Sequence, residues 1–492
     1  MSLREKATKS VFWTFLSRFG IQAIRFLLGV VLARILLPEE FGLVAMVSVF
    51  TLIASTVAEG GFGAAIIQRK NLTPIDCSTA FWFNLSASVA VVVLLWFLAP
   101  LIAGFYSEPA LVWILRAVSG GLIIQAFSTC QRARLNRELR FQELFKLELP
   151  AIVGGGLVGV SMALSGSGAW ALVGQMLATN LLAAIGLWFR SGWIPRFEFS
   201  RQSFREMFGF GVKNALERTV DVAVREAYVL VIGRIFNPLQ VGLYQRANSF
   251  QQLMSLNMYG MVNQVMFPLL SSIQGDVARM RRGFQGVLQL TAMVSFPAFA
   301  GLAAVSEPLI LSLIGPEWLP SVPYLRALCI AGALLPLQGL NLTVILSIGK
   351  SGLSLKLAII KRIALALAIV LTYRHGVMAM IWGQVACALF SWIVNTWPNR
   401  RTIQLSPWSQ LALMAPWLLA SLIMGLSVFL ATERVDWNPW LELVGGALLG
   451  AVIYVGIIRF ARPRGFDSLI RSLPLDPRLV RVLNILLPSK NR

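Results

Sequence analysis

Histidine is nearly missing from this chain. Among 492 residues there is one, His375, which leaves little room for imidazole chemistry. Cysteine is scarce as well. Cys77, Cys130, Cys329 and Cys387 lie far apart in sequence, so neither a metal-ligand spacing nor a disulfide framework is suggested, and all four read as small apolar residues. Charge is low at 13%, against about 25% in soluble domains. Acids are the scarcer sign: 22 Asp and Glu stand against 43 Lys and Arg, for a net charge of +21. No G-x4-G-K-[ST] motif is present, so ATP is not the evident energy source. Long polar stretches are missing too, so no aqueous domain fits anywhere.

What is there is apolar. Hydrophobic residues make up 57% of the chain and mean hydropathy is +0.72, which points to a bilayer. About fourteen mostly apolar runs are long enough to span one: 11–35, 42–67, 79–105, 110–130, 146–165, 168–189, 206–235, 240–270, 286–314, 322–348, 353–373, 376–397, 408–431 and 439–460. The seventh and eighth are unusually polar. The expected fold class is an all-α integral membrane protein.

The cations fall between these runs, where they set orientation rather than suggesting nucleic acid. Alternate connections carry Lys6 and Lys9, Arg69 and Lys70, Arg132 to Arg140, Arg190 to Arg201, Arg279 to Arg282, Lys350, Arg400 and Arg401, then Arg462 to Arg478. The intervening ones hold Glu39 and Glu40, Glu108, a neutral GSG, Asn237, Glu317, Arg374 with His375, and Glu433 to Asp436. Positive loops stay in the cytoplasm, so both termini are expected there. The positive, apolar N-terminus shows no small-x-small cleavage site and is not read as a cleaved signal. The basic tail suits an amphipathic surface helix.

The chain also repeats itself. Arg34, Ile35, Pro38, Gly42 and Leu43 return as Arg234, Ile235, Pro238, Gly242 and Leu243, and Arg18 and Arg25 return as Arg218 and Arg225. A weaker echo follows: LRA at 115–117 recurs at 325–327, and Gly174-Gln175 recurs as Gly383-Gln384. Helices 1–6 and 7–12 therefore read as two copies of one six-helix unit. Six is even, so the copies are parallel, related by an axis along the membrane normal. The expected organisation is an N-lobe over 1–200, a C-lobe over 201–400, two further helices over 401–460 and a basic cytoplasmic tail over 461–492. Substrate sites in such proteins lie near the midplane between repeats.

This 6+6+2 plan resembles the multidrug/oligosaccharidyl-lipid/polysaccharide exporter superfamily. The run EGGFGAAIIQRKNLTPIDCSTAFWFNL, from Glu59 to Leu85, resembles the polysaccharide-transporter branch, the Wzx-type flippases that include colanic acid and teichuronic acid exporters. The resemblance covers essentially the whole chain. It implies flipping of a polyprenyl-pyrophosphate-linked oligosaccharide from the cytoplasmic to the periplasmic leaflet of a bacterial inner membrane. It also implies two lobes in a V, with helices 1 and 7 lining the cleft.

Charges inside spanning helices are costly and mark functional sites by default. Arg18 and Arg25, seven apart, share one face of helix 1, and Arg218 and Arg225 repeat this on helix 7. With Lys213 they make a cluster suited to pyrophosphate, because Arg offers a permanently charged fork of donors. Structural alternatives stand beside this reading. Arg18 and Glu59 lie at similar depth and can pair. Lys213 with Glu217, and Asp221 with Arg225, are four apart and can pair along helix 7. Arg25 has no acid at its depth on helix 2, where Thr51 stands.

On helix 8, Gln245, Asn248, Gln252, Ser255 and Tyr259 are spaced 3-4-3-4, one face of amides and hydroxyls. Such a face suits sugar hydroxyls, or hydrogen bonding to neighbouring helices. Pro150, Pro297 and Pro336 fall inside helices as bending points. The GGG at 154–156 suits bending or close helix packing.

No catalytic residue, metal site or bound cofactor is expected. A proton or sodium gradient is the alternative energy source, with Glu59, Asp221 and Glu226 as coupling carboxylates. Expected partners are the lipid-linked oligosaccharide, the membrane, and the polymerase and glycosyltransferases of one pathway. The rivals are a peptidoglycan-precursor flippase, a multidrug exporter, and, as enzymes, a membrane polymerase or acyltransferase. An arginine-rich cleft repels cationic drugs. A polymerase should show a large outer loop, and an acyltransferase should place an acid near its histidine.

Overall fold

The computed structural model describes residues 20–433 and 438–461. Arg18 and the tail beyond 461 lie outside the described residues. Within them every regular element is helical. The apolar runs read from sequence are helical over most of their described length. Among the described residues ten helices are long and apolar enough to cross a membrane, so the expected count of fourteen is not reached there. The chain forms two compact units, 1–245 and 246–492.

The first unit contains α1 (20–35), α2 (Pro38–Glu59), α3 (Phe62–Gln68), α4 (Pro74–Tyr106), α5 (Leu111–Arg137), α6 (Phe141–Leu164), α7 (Ala169–Arg190), α8 (Arg201–Arg225) and α9 (Ala227–Ile235). The start of α10 (Pro238–Ser272) also belongs to it. Two of the apolar runs are broken here. The second run splits at Gly60 and Gly61, both left-handed with φ of 55° and 72°, a conformation glycine adopts without strain. The seventh splits at Glu226, which ends α8 and opens α9.

The repeated turn is built from the same parts in both places. Pro38 and Pro238 each open a helix, where a missing N–H costs nothing. The caps differ: Glu40 Oε2 accepts from the Leu37 N–H at 2.7 Å, whereas Asn237 Oδ1 accepts from the Gln240 N–H at 2.9 Å. The glycines behind the prolines bring the two turns into direct contact.

Glycine also sets the packing of α6. A Cβ on Gly155 would fall 1.9 Å from Thr179 Oγ1 and 2.8 Å from the Gln175 carbonyl, and one on Gly156 would meet Leu28 of α1 at 2.5 Å. The GGG thus serves close approach of α7 and α1 to α6.

The second unit holds the rest of α10, then α11 (Val277–Ala304), α12 (Ser306–Leu313), α13 (Val322–Ser347), α14 (Ser351–Thr372), α15 (Val377–Thr396), the short α16 (Asn399–Thr402), α17 (Pro407–Glu433) and α18 (Pro439–Ala461). Here the ninth run is split, between α11 and α12. α14 is not among the ten spans; it carries Lys356, Lys361 and Arg362.

Candidate functional site

A cavity of about 500 Å³ lies inside the first unit. Three of the residues singled out from sequence meet there: Arg25 from α1, Glu59 from the end of α2 and Arg218 from α8. Arg132 and Asn136 of α5, Glu148 of α6, and Thr179 and Asn180 of α7 complete its polar wall, with Gln125 and Thr129 beside them. Three arginines against two glutamates leave one net positive charge.

The break at Gly60-Gly61 places Glu59. It ends α2 there and lets its carboxylate face the cavity, with Oε1 where a Cβ on Gly63 would be, 2.6 Å away. The same break admits α8. A Cβ on Gly61 would lie 2.3 Å from the Gly211 carbonyl oxygen, and one on Gly211 would lie 2.3 Å from that of Gly60. Two turns further along α8, Arg218 Nη1 reaches Glu59 Oε2 at 3.4 Å. Arg132 pairs with Glu148 across α5 and α6. Both carboxylates are thereby engaged. Arg25 makes no ion pair and no hydrogen bond among the described residues, so it is the uncompensated cation of the cavity as described.

The remaining singled-out residues lie elsewhere. Arg225 Nε sits 3.4 Å from Glu226 Oε1 at the α8–α9 break, so its pairing is with its neighbour rather than with Asp221. Lys213 and Asp221 are exposed and do not line the cavity. No Lys213–Glu217 ion pair forms among the described residues. Glu59 pairs with Arg218, and its expected partner Arg18 is outside the described residues. On α10, Ser255 is buried and accepts from Gln251 Nε2 at 3.1 Å. The Tyr259 ring packs on Gly339 of α13. Gln245, Asn248 and Gln252 are partly buried.

The Glu59–Leu85 run proves to be a clasp that holds α8 against the first bundle. Arg69 bridges Asp76 at 3.1 Å and Glu206 of α8 at 3.0 Å. Thr73 and Asp76 form a reciprocal capping box on α4. Thr79 and Ser78 accept from the Ser200 and Arg196 N–H groups, and the Trp82 indole donates to the Arg196 carbonyl at 2.8 Å. Phe62 and Phe83 pack with Phe204. Arg137, one of the loop cations, caps α3: its guanidinium donates to the carbonyls of Ile66 at 2.8 Å and Lys70 at 2.9 Å, and to that of Arg69.

Sequence reasoning missed Arg132, Glu148 and the α5 wall. A signal was available: Gln125, Thr129, Arg132 and Asn136 are spaced 4-3-4, one helix face by the same rule applied to α10.

Comparisons with known proteins agree with this architecture. Residues 31–323 match the family described as polysaccharide biosynthesis protein. The teichuronic acid biosynthesis protein TuaB of Bacillus subtilis (strain 168) is 27% identical over 479 residues, 96% of this chain and 99% of that one. The succinoglycan biosynthesis transport protein ExoT of Rhizobium meliloti (strain 1021) is 26% identical over 477 residues, 95% and 94% of the two chains. Among solved structures, a lipid II flippase, MurJ, in an inward closed conformation superposes with a TM-score of 0.74 at 14% identity, covering 94% of this chain and 100% of that one. An inward-facing multidrug resistance MATE transporter of the MOP superfamily gives 0.63 at 15% identity, covering 78% and 94%. The matched family spans more than half of the sequence and the fold is that of these transporters: the chain is a multi-pass membrane protein belonging to the polysaccharide biosynthesis protein family.

Proposed function

We propose that this protein moves a polyprenyl-pyrophosphate-linked oligosaccharide from the cytoplasmic to the periplasmic leaflet by alternating access, in a bacterial inner membrane with both termini cytoplasmic. The observation that carries the reading is Arg25, a guanidinium with no ion pair among the described residues, in a polar cavity within a membrane protein. Such a charge is costly without a counterion, and a fork of donors suits phosphate oxygens. The amide and hydroxyl wall from Gln125 to Asn180 offers both donors and acceptors to sugar hydroxyls. The relatives named for teichuronic acid biosynthesis and succinoglycan transport support a saccharide cargo. A free arginine repels cationic drugs, which disfavours multidrug export. The polyprenyl tail stays in lipid.

Energy comes from a proton or sodium gradient, with Glu59 as the coupling carboxylate best placed by geometry because it already holds Arg218. Asp221 and Glu226 are the alternatives. The glycosyltransferases that build the saccharide and the polymerase that consumes it are the pathway partners. The test is Arg25→Ala in cells that depend on this protein for polymer export. Export is expected to stop while the protein inserts at normal levels. Near-normal export would remove the pyrophosphate cavity from the account.

A further inference from the structure

α6 and α14 are one element written twice. Each follows a turn with the same hydrogen bonds: the Leu139 N–H to the Asn136 carbonyl and Arg140 to Leu135, matched by Gly349 to Leu346 and Lys350 to Ile345. Leu139 and Gly349 both have positive φ, 56° and 76°. The N-cap residues Arg140 and Lys350 have φ, ψ of −82°, 50° and −83°, 55°. Counted from this shared turn, Ala151 and Ile152 of α6 correspond to Lys361 and Arg362 of α14. In the first unit Ala151 and Ile152 line the cavity. The second unit places two cations at the equivalent positions.

Lys361 is not on the lipid side of its helix. It belongs to the row Leu357, Lys361, Ala364, Ala368 and Thr372, spaced 4-3-4-4. Leu357 is buried, the Cys387 thiol of α15 lies 3.5 Å from the Ala364 carbonyl oxygen, and Gly383 of α15 faces Ala368 and Thr372. This row packs on α15. Yet α13, α14 and α15 contain no Asp or Glu, and Lys361 makes no ion pair or hydrogen bond among the described residues. It stands about 15 Å along α14 from either end, too deep to reach lipid phosphates at the surface. A charge so placed needs an anion brought from outside.

We propose that Lys361, with Arg362 beside it, is a second oxyanion-binding point, in the second unit, that takes a phosphate or carboxylate group of the lipid-linked saccharide. The proposal rests on the transport reading above and adds to it a cation inside the eleventh apolar run.

The test measures binding of two probes to the full-length protein in nanodiscs: undecaprenyl pyrophosphate, the carrier alone, and trigalacturonate, a free acidic saccharide. Lys361→Met is expected to weaken at least one by about tenfold or more, the scale of one lost charge-assisted hydrogen bond. Lys361→Arg is expected to restore it. Loss for the carrier assigns the site to phosphate, and loss for trigalacturonate assigns it to saccharide carboxylate. Unchanged affinity for both probes overturns the proposal, as does a loss that Lys361→Arg fails to rescue. Lys361→Gln gives the same reading if the methionine variant folds poorly. Arg25→Ala on the same probes separates the two ideas: carrier binding lost there, with binding of both probes kept in Lys361→Met, leaves the transport reading standing and removes this one.

Discussion

Gly42 and Gly242 stand so close to each other's turns that a methyl group on either would fall 1.8 Å from a carbonyl oxygen, that of Pro238 for Gly42 and that of Pro38 for Gly242. The relation is reciprocal, which is what a two-fold axis through the contact produces. It explains why one chain contains the same turn twice. Each copy supplies the glycine that the other copy's proline carbonyl requires, so the two turns pack backbone to backbone. Gly42→Ala and Gly242→Ala are therefore each expected to cost about 1–3 kcal/mol or more, since overpacking against a rigid backbone cannot relax through a side chain. Thermal unfolding of the purified protein in detergent measures this. A variant that melts with the parent would show that the turns do not touch.

The Glu59–Arg218 pair is partly exposed to the cavity, and such pairs contribute little to stability. Its weight is in charge. Glu59→Gln frees Arg218 and raises the net charge of the cavity wall by one. The expected result is an unchanged melting temperature, tighter binding of undecaprenyl pyrophosphate, and transport in proteoliposomes that no longer follows the imposed gradient. Asp221→Asn is measured beside it. If neither variant alters gradient dependence, both carboxylates are structural.

How much of this was legible beforehand depended on the range of each interaction. Hydropathy and loop charge located the helices, because bilayer residence acts residue by residue. The repeat brought Arg25 and Arg218 into view. Which charge meets which was not legible: Glu59 matched Arg18 in depth, Arg18 is outside the described residues, and the partner seen among them comes from α8, through glycine contacts between Gly61 and Gly211 that no local pattern encodes. The break between α2 and α3 was written in the sequence as EGGFG, yet two glycines in a membrane helix read equally well as packing. Arg137 looked like any other loop cation. Its role as a cap on α3 appears only once the fold returns α5 to the end of that short helix.

Arg137 therefore gives a clean separation of structure from binding. Its guanidinium satisfies carbonyls at the C-terminus of α3, where a positive charge also complements the helix dipole. Arg137→Met removes hydrogen bonds to a charged donor, worth roughly 1.5–3 kcal/mol each at the upper end. A stability loss of about 2 kcal/mol is expected, read as a lower melting temperature, with affinity for undecaprenyl pyrophosphate retained in the folded fraction. Loss of affinity without loss of stability would make Arg137 a ligand instead.

Gly209 and Gly211 lie two residues apart in α8 and predict opposite outcomes. Gly209 has open space where a Cβ would stand, whereas a Cβ on Gly211 would come within 2.3 Å of the Gly60 carbonyl oxygen. Alanine lowers the cost of ordering a helix relative to glycine by about 0.5–1 kcal/mol, so Gly209→Ala is expected to leave the melting temperature unchanged or raise it. Gly211→Ala is expected to push α8 off the α2–α3 break. That displacement overpacks the backbone contact and carries Arg218 out of the cavity wall, so melting temperature and carrier affinity should fall together. A Gly211→Ala protein that keeps both would mean that α8 is held by the Arg69 clasp alone and that the paired glycines do not position the cavity arginine.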